Sequence, residues 1–154
     1  MSAELETYRH PSAAFELPLP AEWERAENVE GCALLAVEPP REDSHFRANV
    51  VVTIEQLEQG AELEQWAERS LAALRESLDR LRVIDLDASE IGGLPARRAL
   101  THYLHGQFGG VNLEQWSLAD GGLGFVVSCS TAALEYDDLW LLTNTVAEGL
   151  RVRT

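Results

Sequence analysis

Residues 96–130 read ARRALTHYLHGQFGGVNLEQWSLADGGLGFVVSCS, and this stretch decides the fold class of the chain. Three segments in it have the alternation and the apolar, β-branched content of strands. A glycine-rich loop separates the first two, and Asp120-Gly121-Gly122 makes a tight turn before the third. Strands joined by short connections pair with their sequence neighbours, so an antiparallel sheet is predicted. The segments are residues 96–105, 111–118 and 123–130.

Further strands and two helices are predicted on both sides of this stretch. The clearest strand is 46–55, in which alternate residues are apolar and should share one face. Leucines and Trp66 recur at helical spacing from Leu63 to Leu81, and a second helix is predicted from Tyr136 to Leu150. The order predicts an α+β fold, an antiparallel sheet flanked by helices, in a single domain 1–154 with a loosely ordered lead-in at 1–12. The remaining strands are predicted at residues 15–19, 32–37 and 83–91.

The net charge of the chain limits the classes of partner that it is expected to bind. The chain has 154 residues and a net charge of -14, with 12 basic and 26 acidic residues. Phosphate backbones and anionic lipid surfaces attract basic proteins, so neither is an expected partner. The first residues lack the basic and apolar regions of a signal peptide, and no run reaches the ~18 apolar residues of a membrane span. A cytoplasmic protein without membrane insertion is expected.

Motifs that carry chemistry are missing from the sequence. Cys32 and Cys129 each lie in an apolar run without CxxC spacing, which favours two buried thiols. His102 and His105 lie three apart on a strand, where such side chains point to opposite sides, although Glu114 could come near one of them. Phosphate-binding loops and nucleophile elbows are also lacking. No catalytic, cofactor-binding or metal residue is predicted, and the chain is not expected to be an enzyme or to need a cofactor.

Two smaller expectations concern individual side chains. His10 and His45 lie in polar, loop-like segments and are expected to face solvent. Asp85 and Asp87 are expected to point the same way from one strand. Neither pair forms a recognisable catalytic arrangement.

The order of several short motifs resembles that of a known fold family. The chain is similar to the α/β/α sandwich of the PsbP-like proteins, which includes a Ran-binding import factor and bacterial LpqN-like and DcrB-like relatives. The motifs are Phe15-Glu16-Leu17-Pro18, Pro20-Ala21-Glu22-Trp23, Ala48-Asn49-Val50-Val51-Val52, the amphipathic helix with Trp66, and Gly92-Gly93-Leu94-Pro95-Ala96. The likeness spans roughly residues 8 to 152.

The resemblance implies binding proteins and assembly factors, one bacterial branch of which acts as chaperones for apolar segments of secreted effectors. It carries over no catalytic residue, because the group has no shared one. The chain is also expected to depart from the secreted members, since no signal peptide or lipobox cysteine is recognised in the sequence. A bacterial, non-catalytic member is implied.

Two functions therefore stay open. The first is a protein-binding module, an adaptor or chaperone for a secreted or membrane-associated client, which would bind the wetter face of the sheet. The residues expected there are Asn49, Val51, Thr53, Val126, Ser128 and Ser130. The alternative is a carrier of a small apolar ligand, with its pocket between the sheet and the long helix. A homodimer is compatible with either, with Trp140 and Leu141 as its contact because both fall off the inner stripe of the last helix.

Overall fold

The computed structural model describes residues 4–41 and 45–153 of the chain. Ten strands, two α-helices and one short 3₁₀ helix (Ala133–Glu135) follow one another along these ranges. The strands are β1 (Leu5–Arg9), β2 (Phe15–Pro20), β3 (Glu24–Val29), β4 (Cys32–Val37), β5 (Asn49–Gln56), β6 (Arg82–Ile91), β7 (Leu94–His105), β8 (Gly109–Asp120), β9 (Leu123–Ala132) and β10 (Arg151–Val152). The helices are α1 (Leu63–Ser77) and α2 (Tyr136–Glu148).

Seven strands form one large sheet in the order β3-β4-β5-β9-β8-β7-β6. All of its neighbouring strands pair antiparallel. A small sheet, β1-β2-β10, packs with α2 on one face of the large sheet, while α1 lies on the other. The predicted α+β architecture, an antiparallel sheet flanked by helices, is confirmed.

The core lies between the large sheet, the small sheet and α2. Alternate residues of β5, such as Val50 and Val52, are fully buried there. They belong to one apolar cluster with Phe15 of β2 and Val146 of α2. We call this side of the large sheet the closed face. It is closed because a sheet and a helix together cover the apolar side chains that its strands present.

The opposite side, which we call the open face, carries only α1. The buried residue of α1 is Trp66, whereas Leu71 and Leu74 on the same stripe stay half-exposed. Trp66 rests on Gly124 of β9, where a Cβ would come within 2.6 Å of the indole ring. Only glycine permits so close an approach, and the contact sets the height of α1 above the sheet.

The turn between β8 and β9 has the predicted form. Asp120 pairs with Leu123, so Gly121 and Gly122 make a two-residue hairpin loop. Their φ angles are +60° and +82°, as a type I′ turn requires. Glycine adopts these angles at little cost, which explains the paired glycines.

The lead-in is better ordered than predicted. Residues Leu5–Arg9 form β1 and pair with β2, while residues 1–3 of the predicted lead-in lie outside the described residues. His10 was expected in solvent but is buried, with Nδ1 accepting from the backbone N–H of Ser12 and Ala13. Its Nε2 lies 2.9 Å from the carbonyl oxygen of Ala33 on β4. The imidazole therefore closes the β1–β2 turn and ties it to the large sheet.

Besides β1, two further strands are not predicted from the sequence. Half of the residues of β3 are charged, and β10 has two residues, so neither shows an apolar alternation. Strand β10 pairs only with Phe15 and Glu16 of β2. Pro18 and Pro20, farther along β2, therefore have a strand partner on one side only, which proline tolerates.

Candidate functional site

The register of β5 and β9 brings together all six residues predicted for partner binding. Asn49 pairs with Ser130, Val51 with Ser128, and Thr53 with Val126. All six lie on the open face, because they alternate with the buried residues of both strands. Val126 is buried and the other five are half-buried.

The same surface continues across β4. Leu35 pairs with Val51 and Val37 pairs with Asn49, and both are half-buried. We call Leu35, Val37 and the six predicted residues the open patch. None of its members is charged, although 25% of the chain is. An uncharged apolar centre with hydroxyl and amide groups around it is typical of surfaces that bind proteins.

The position of α1 explains why the open patch is uncovered. The helix packs against β7 and β8, and its Trp66 rests on Gly124 of β9. The indole N–H of Trp66 donates to the Glu55 carboxylate at the end of β5, which holds the helix at that end of the strand. The middle of β4, β5 and β9 therefore has no helix above it in the described residues.

Two of the polar groups in the patch already have protein partners. Gln115 Nε2 donates to Ser128 Oγ at 2.8 Å, and Asn49 Nδ2 donates to the Arg47 carbonyl at 3.1 Å. At the rim, Arg47 pairs with Glu24 at 2.8 Å, so its charge is neutralised. The open patch thus combines apolar side chains with uncharged polar groups and carries no net charge.

A cavity of about 130 Å³ lies on the other side of α1, above β6, β7 and β8. Its walls include Ala67 and Leu71 of the helix, and Leu86 and Ala99 of the sheet. The expected pocket between the sheet and the long helix therefore exists. Trp66 does not line it, however, and borders a separate groove beside β5.

A buried charge cluster lies on the closed face, and sequence reasoning missed it. Glu114 and Arg98 have side chains 2% and 16% exposed, and their nearest atoms, Glu114 Oε2 and Arg98 Nη2, are 2.5 Å apart. Tyr136 and Asn144 of α2 donate to the other carboxylate oxygen at 3.2 and 2.9 Å. The cluster joins α2 to β7 and β8, so it stabilises the position of the last helix.

The rest of the cluster lies toward solvent. Arg98 also contacts Asp85 and Asp87 at 3.0 and 3.4 Å, so the two aspartates do point the same way, as predicted. Burial disfavours the charged guanidinium, but Glu114 outweighs that effect and the pKa of Arg98 is raised. Burial, followed by the charge of Glu114, raises the pKa of Tyr136. Paired charges of this kind suit a structural role better than proton transfer at neutral pH.

Both cysteines are free thiols. Cys129 is fully buried on the closed face, beside Thr143, whereas Cys32 is half-buried. Burial, and then the nearby Glu114, raise the pKa of Cys129, which disfavours the nucleophilic thiolate.

The histidines and Glu114 do not meet. His102 pairs across the sheet with Asn112, and His105 accepts N–H bonds from Gln107 and Phe108 in the next turn. Glu114 is engaged by Arg98 instead. Among the described residues, no three His, Cys, Asp or Glu side chains come together as metal ligands would.

The residues suggested for a dimer contact lie at the surface. Trp140 and Leu141 of α2 are 44% and 65% exposed. The dimer itself stays a prediction. Neither helix in the described ranges has the length and apolar character needed to cross a membrane.

Comparisons with known proteins identify the fold. No protein-family model and no curated protein sequence matches the chain. Among solved structures, CyanoP, the PsbP of the cyanobacterium Synechocystis sp. PCC 6803, matches with a TM-score of 0.74 and 16% identity over 99% of this chain and 94% of CyanoP. LpqN of Mycobacterium tuberculosis, involved in cell envelope biogenesis, has a TM-score of 0.72 and 16% identity over 98% and 91%. The Ran-binding protein Mog1p of Saccharomyces cerevisiae has a TM-score of 0.69 and 11% identity over 98% and 96%.

These likenesses cover nearly the whole length of each chain. They show that the protein has the PsbP-like α/β/α sandwich fold, as the order of its motifs predicts. At 11–16% identity they establish the fold alone.

Proposed function

We propose that this protein is a non-catalytic protein-binding module, an adaptor or chaperone for a secreted or membrane-associated client, and that the client binds on the open patch. The observation that carries the proposal is an uncharged, half-exposed sheet face on a chain with a net charge of -14. In the free protein this face exposes apolar surface to water, and a bound partner would bury that surface.

The shape and chemistry of the open patch suit an apolar client segment. Leu35, Val51 and Val37 provide apolar contact, while Thr53 and Ser130 can hydrogen-bond along the rim. The acidic surface elsewhere would favour clients with basic flanking residues and increase their rate of association. No covalent chemistry is needed for this role.

The structural neighbours support the same class of function. Mog1p is a Ran-binding protein, and LpqN is involved in cell envelope biogenesis. Neither partner is transferred to this chain, because the identities are 16% or lower. The neighbours make protein binding the function to test first.

Site-specific photo-crosslinking in the native host tests the proposal. A photoreactive amino acid at Leu35 should capture one discrete protein, whereas the same group at Ala72, on the exposed side of α1, should not. With that partner purified, Val51→Asp should abolish binding and leave the thermal unfolding midpoint within a few degrees of the parent. Equal crosslinking at both positions, or full binding by Val51→Asp, would contradict the proposal.

The expected location is the cytoplasm, and cell fractionation with an antibody against the native protein tests it. Recovery in the soluble cytoplasmic fraction agrees with this placement. Recovery outside the cytoplasm would require a client on the other side of the membrane.

A second candidate function is small-molecule binding, and the cavity beside α1 favours it. The cavity and the open patch share no lining residue, although Gln115 at the cavity floor donates to Ser128 of the patch. The two functions can therefore be tested independently.

A further inference from the structure

The floor of the cavity beside α1 is formed by two neighbouring rows of cross-strand pairs. Ala99 pairs with Leu86 on one side and with Gln115 on the other. In the next row, Arg97 lies directly opposite Ser117. All five side chains project toward α1, which places a guanidinium and a hydroxyl side by side at the polar end.

Ser117 is a buried residue whose hydroxyl faces the cavity without a protein partner. The residue is 5% exposed, it lines the cavity, and its hydroxyl makes no hydrogen bond to any of the described residues. A hydroxyl in this position is free to donate or accept a hydrogen bond within the cavity. A ligand atom in the cavity would supply the missing partner.

Arg97 is also poorly paired. Its side chain is 31% exposed, and its ion pair is with Glu64, 74% exposed, at 3.6 Å from Nη1. That separation is too long for a hydrogen bond. The adjacent Arg98 on the closed face has carboxylate oxygens at 2.5 and 3.0 Å. Arg97 therefore keeps its donors available, and its planar fork matches a carboxylate.

Four apolar side chains line the cavity, together with Glu68 and Gln115. Ala67 and Ala99 leave space between helix and sheet, and Leu71 and the exposed Leu86 flank the mouth. The volume of about 130 Å³ is close to that of cavities, roughly 150 Å³, that hold benzene. A ring or a short alkyl chain would fit there and would cover Leu86.

We propose that this cavity binds a small monocarboxylate with an apolar body about the size of benzene. The carboxylate accepts hydrogen bonds from Arg97 and Ser117, and the body lies between the two alanines and the two leucines. This inference rests on the second candidate function, small-molecule binding, and names its ligand class.

Glu64 is expected to compete with a bound carboxylate for Arg97. It is the anion that now faces Arg97, so a bound carboxylate must displace it or share the guanidinium with it. Removing its charge should therefore strengthen carboxylate binding. If the ligand were instead an amine held by Glu64 and Glu68, which both line the cavity, the same change would weaken binding.

Three probes of similar shape distinguish the ligand classes: benzoate, benzamide and benzylamine. Binding is followed by two-dimensional ¹H–¹⁵N NMR of the full chain, through the amide signals of Ala99, Gln115 and Ser117. Benzoate should shift these signals at millimolar concentrations, with clearly weaker effects from benzamide and benzylamine.

Charge-removing variants then assign the contacts. Arg97→Gln should weaken benzoate binding by about tenfold or more, the contribution of hydrogen bonds to a charged group. Glu64→Gln should strengthen it by about two- to fivefold. Glu76→Gln, the matched control on the exposed side of α1, should leave it unchanged.

A cavity-filling variant gives a test that does not depend on charge. Ala67→Leu places apolar volume in the cavity from a helix position that favours leucine. It should abolish benzoate binding and preserve the thermal unfolding midpoint.

The outcomes separate the ligand class from the site itself. Benzoate shifts at the cavity floor that respond to these variants as stated support the proposal. Preferred binding of benzylamine or benzamide at the same signals overturns the carboxylate and keeps a small-molecule site. No shift at these signals with any probe overturns the cavity as a binding site.

Discussion

The closed and open faces of the large sheet share the same strands but differ in what covers them. On the closed face, α2 and the small sheet bury Val50 and Val52 completely, and even Glu114 is paired inside. On the open face, Val51 and Ser128 stay half-exposed because α1 passes to one side. The closed face should therefore contribute most of the stability, and the open face should be available for binding.

The largest expected difference between the faces is in the loss of stability when Arg98 or Arg97 is replaced. Arg98→Ala leaves the Glu114 carboxylate buried without its guanidinium and should lower the free energy of unfolding by about 3 kcal/mol. Arg97→Ala removes a loose ion pair and should cost less than about 1 kcal/mol. Urea denaturation measures both variants. Equal losses would show that the buried pair contributes no more than the open one.

A second substitution sharpens the interpretation of Arg98→Ala. Adding Glu114→Gln removes the unpaired charge and should recover part of the lost stability. No recovery would mean that packing of the arginine stem, and not charge, explains the loss.

Val50 and Val51 are adjacent in sequence and point to opposite faces. Val50→Ala should lower the free energy of unfolding by about 2 kcal/mol, because it leaves a hole in a filled core. Val51→Ala should cost clearly less, because its side chain is half-exposed already. Urea denaturation with equal m-values tests the pair, and a larger loss for Val51 would contradict the assignment of the faces.

The buried thiol of Cys129 predicts a pH dependence on the closed face. Burial raises the pKa of Cys129 in the folded state, whereas the pKa of a thiol in the unfolded chain is about 8.5. The folded state therefore keeps a proton that the unfolded state releases. Stability from this group is complete below about pH 8.5 and falls as the pH rises further, by up to about 1.4 kcal/mol per pH unit.

Unfolding free energies measured from pH 7 to 10 test this prediction. Cys129→Ala should flatten the alkaline slope, and Val51→Ala, which keeps the thiol, should not. An unchanged slope in Cys129→Ala would assign the alkaline loss to other groups, such as Tyr8, whose pKa is raised by burial and by its bond to Glu27.

The smallest effect on stability is expected at the outer surface of α2. Leu141→Glu replaces an exposed apolar group and should change the free energy of unfolding by less than about 0.5 kcal/mol. If the protein forms a homodimer through Trp140 and Leu141, sedimentation velocity should show the variant as a monomer. A parent protein that sediments as a monomer, or a variant dimer, would remove this contact.

Much of the open patch was predictable because its residues are close neighbours across a hairpin-rich sheet. Asn49, Val51 and Thr53 alternate with apolar residues, so their common face follows from the two-residue period of a strand. Pairing of that strand with residues 123–130 was not encoded locally, because a long helix and three strands separate them. The register of β5 and β9 places all six residues together.

The Glu114 cluster was not predictable from sequence patterns. In the sequence, Glu114 lies in a strand segment whose residues look half-buried. Its partners are Arg98 of β7 and Tyr136 and Asn144 of α2. No periodicity links residues 98, 114, 136 and 144. Their pairing depends on where α2 docks, which packing decides.

The sequence by itself determined the α+β class, the antiparallel hairpins from residue 96 to 130, both helices and the acidic surface, because these depend on local periodicity, turn residues and charge. The tertiary structure alone decided that β1 is ordered, that His10 is buried, that α2 and α1 cover opposite faces, and that Leu71 and not Trp66 lines the cavity. These features arise from contacts between distant segments, and such contacts depend on how whole layers pack against one another.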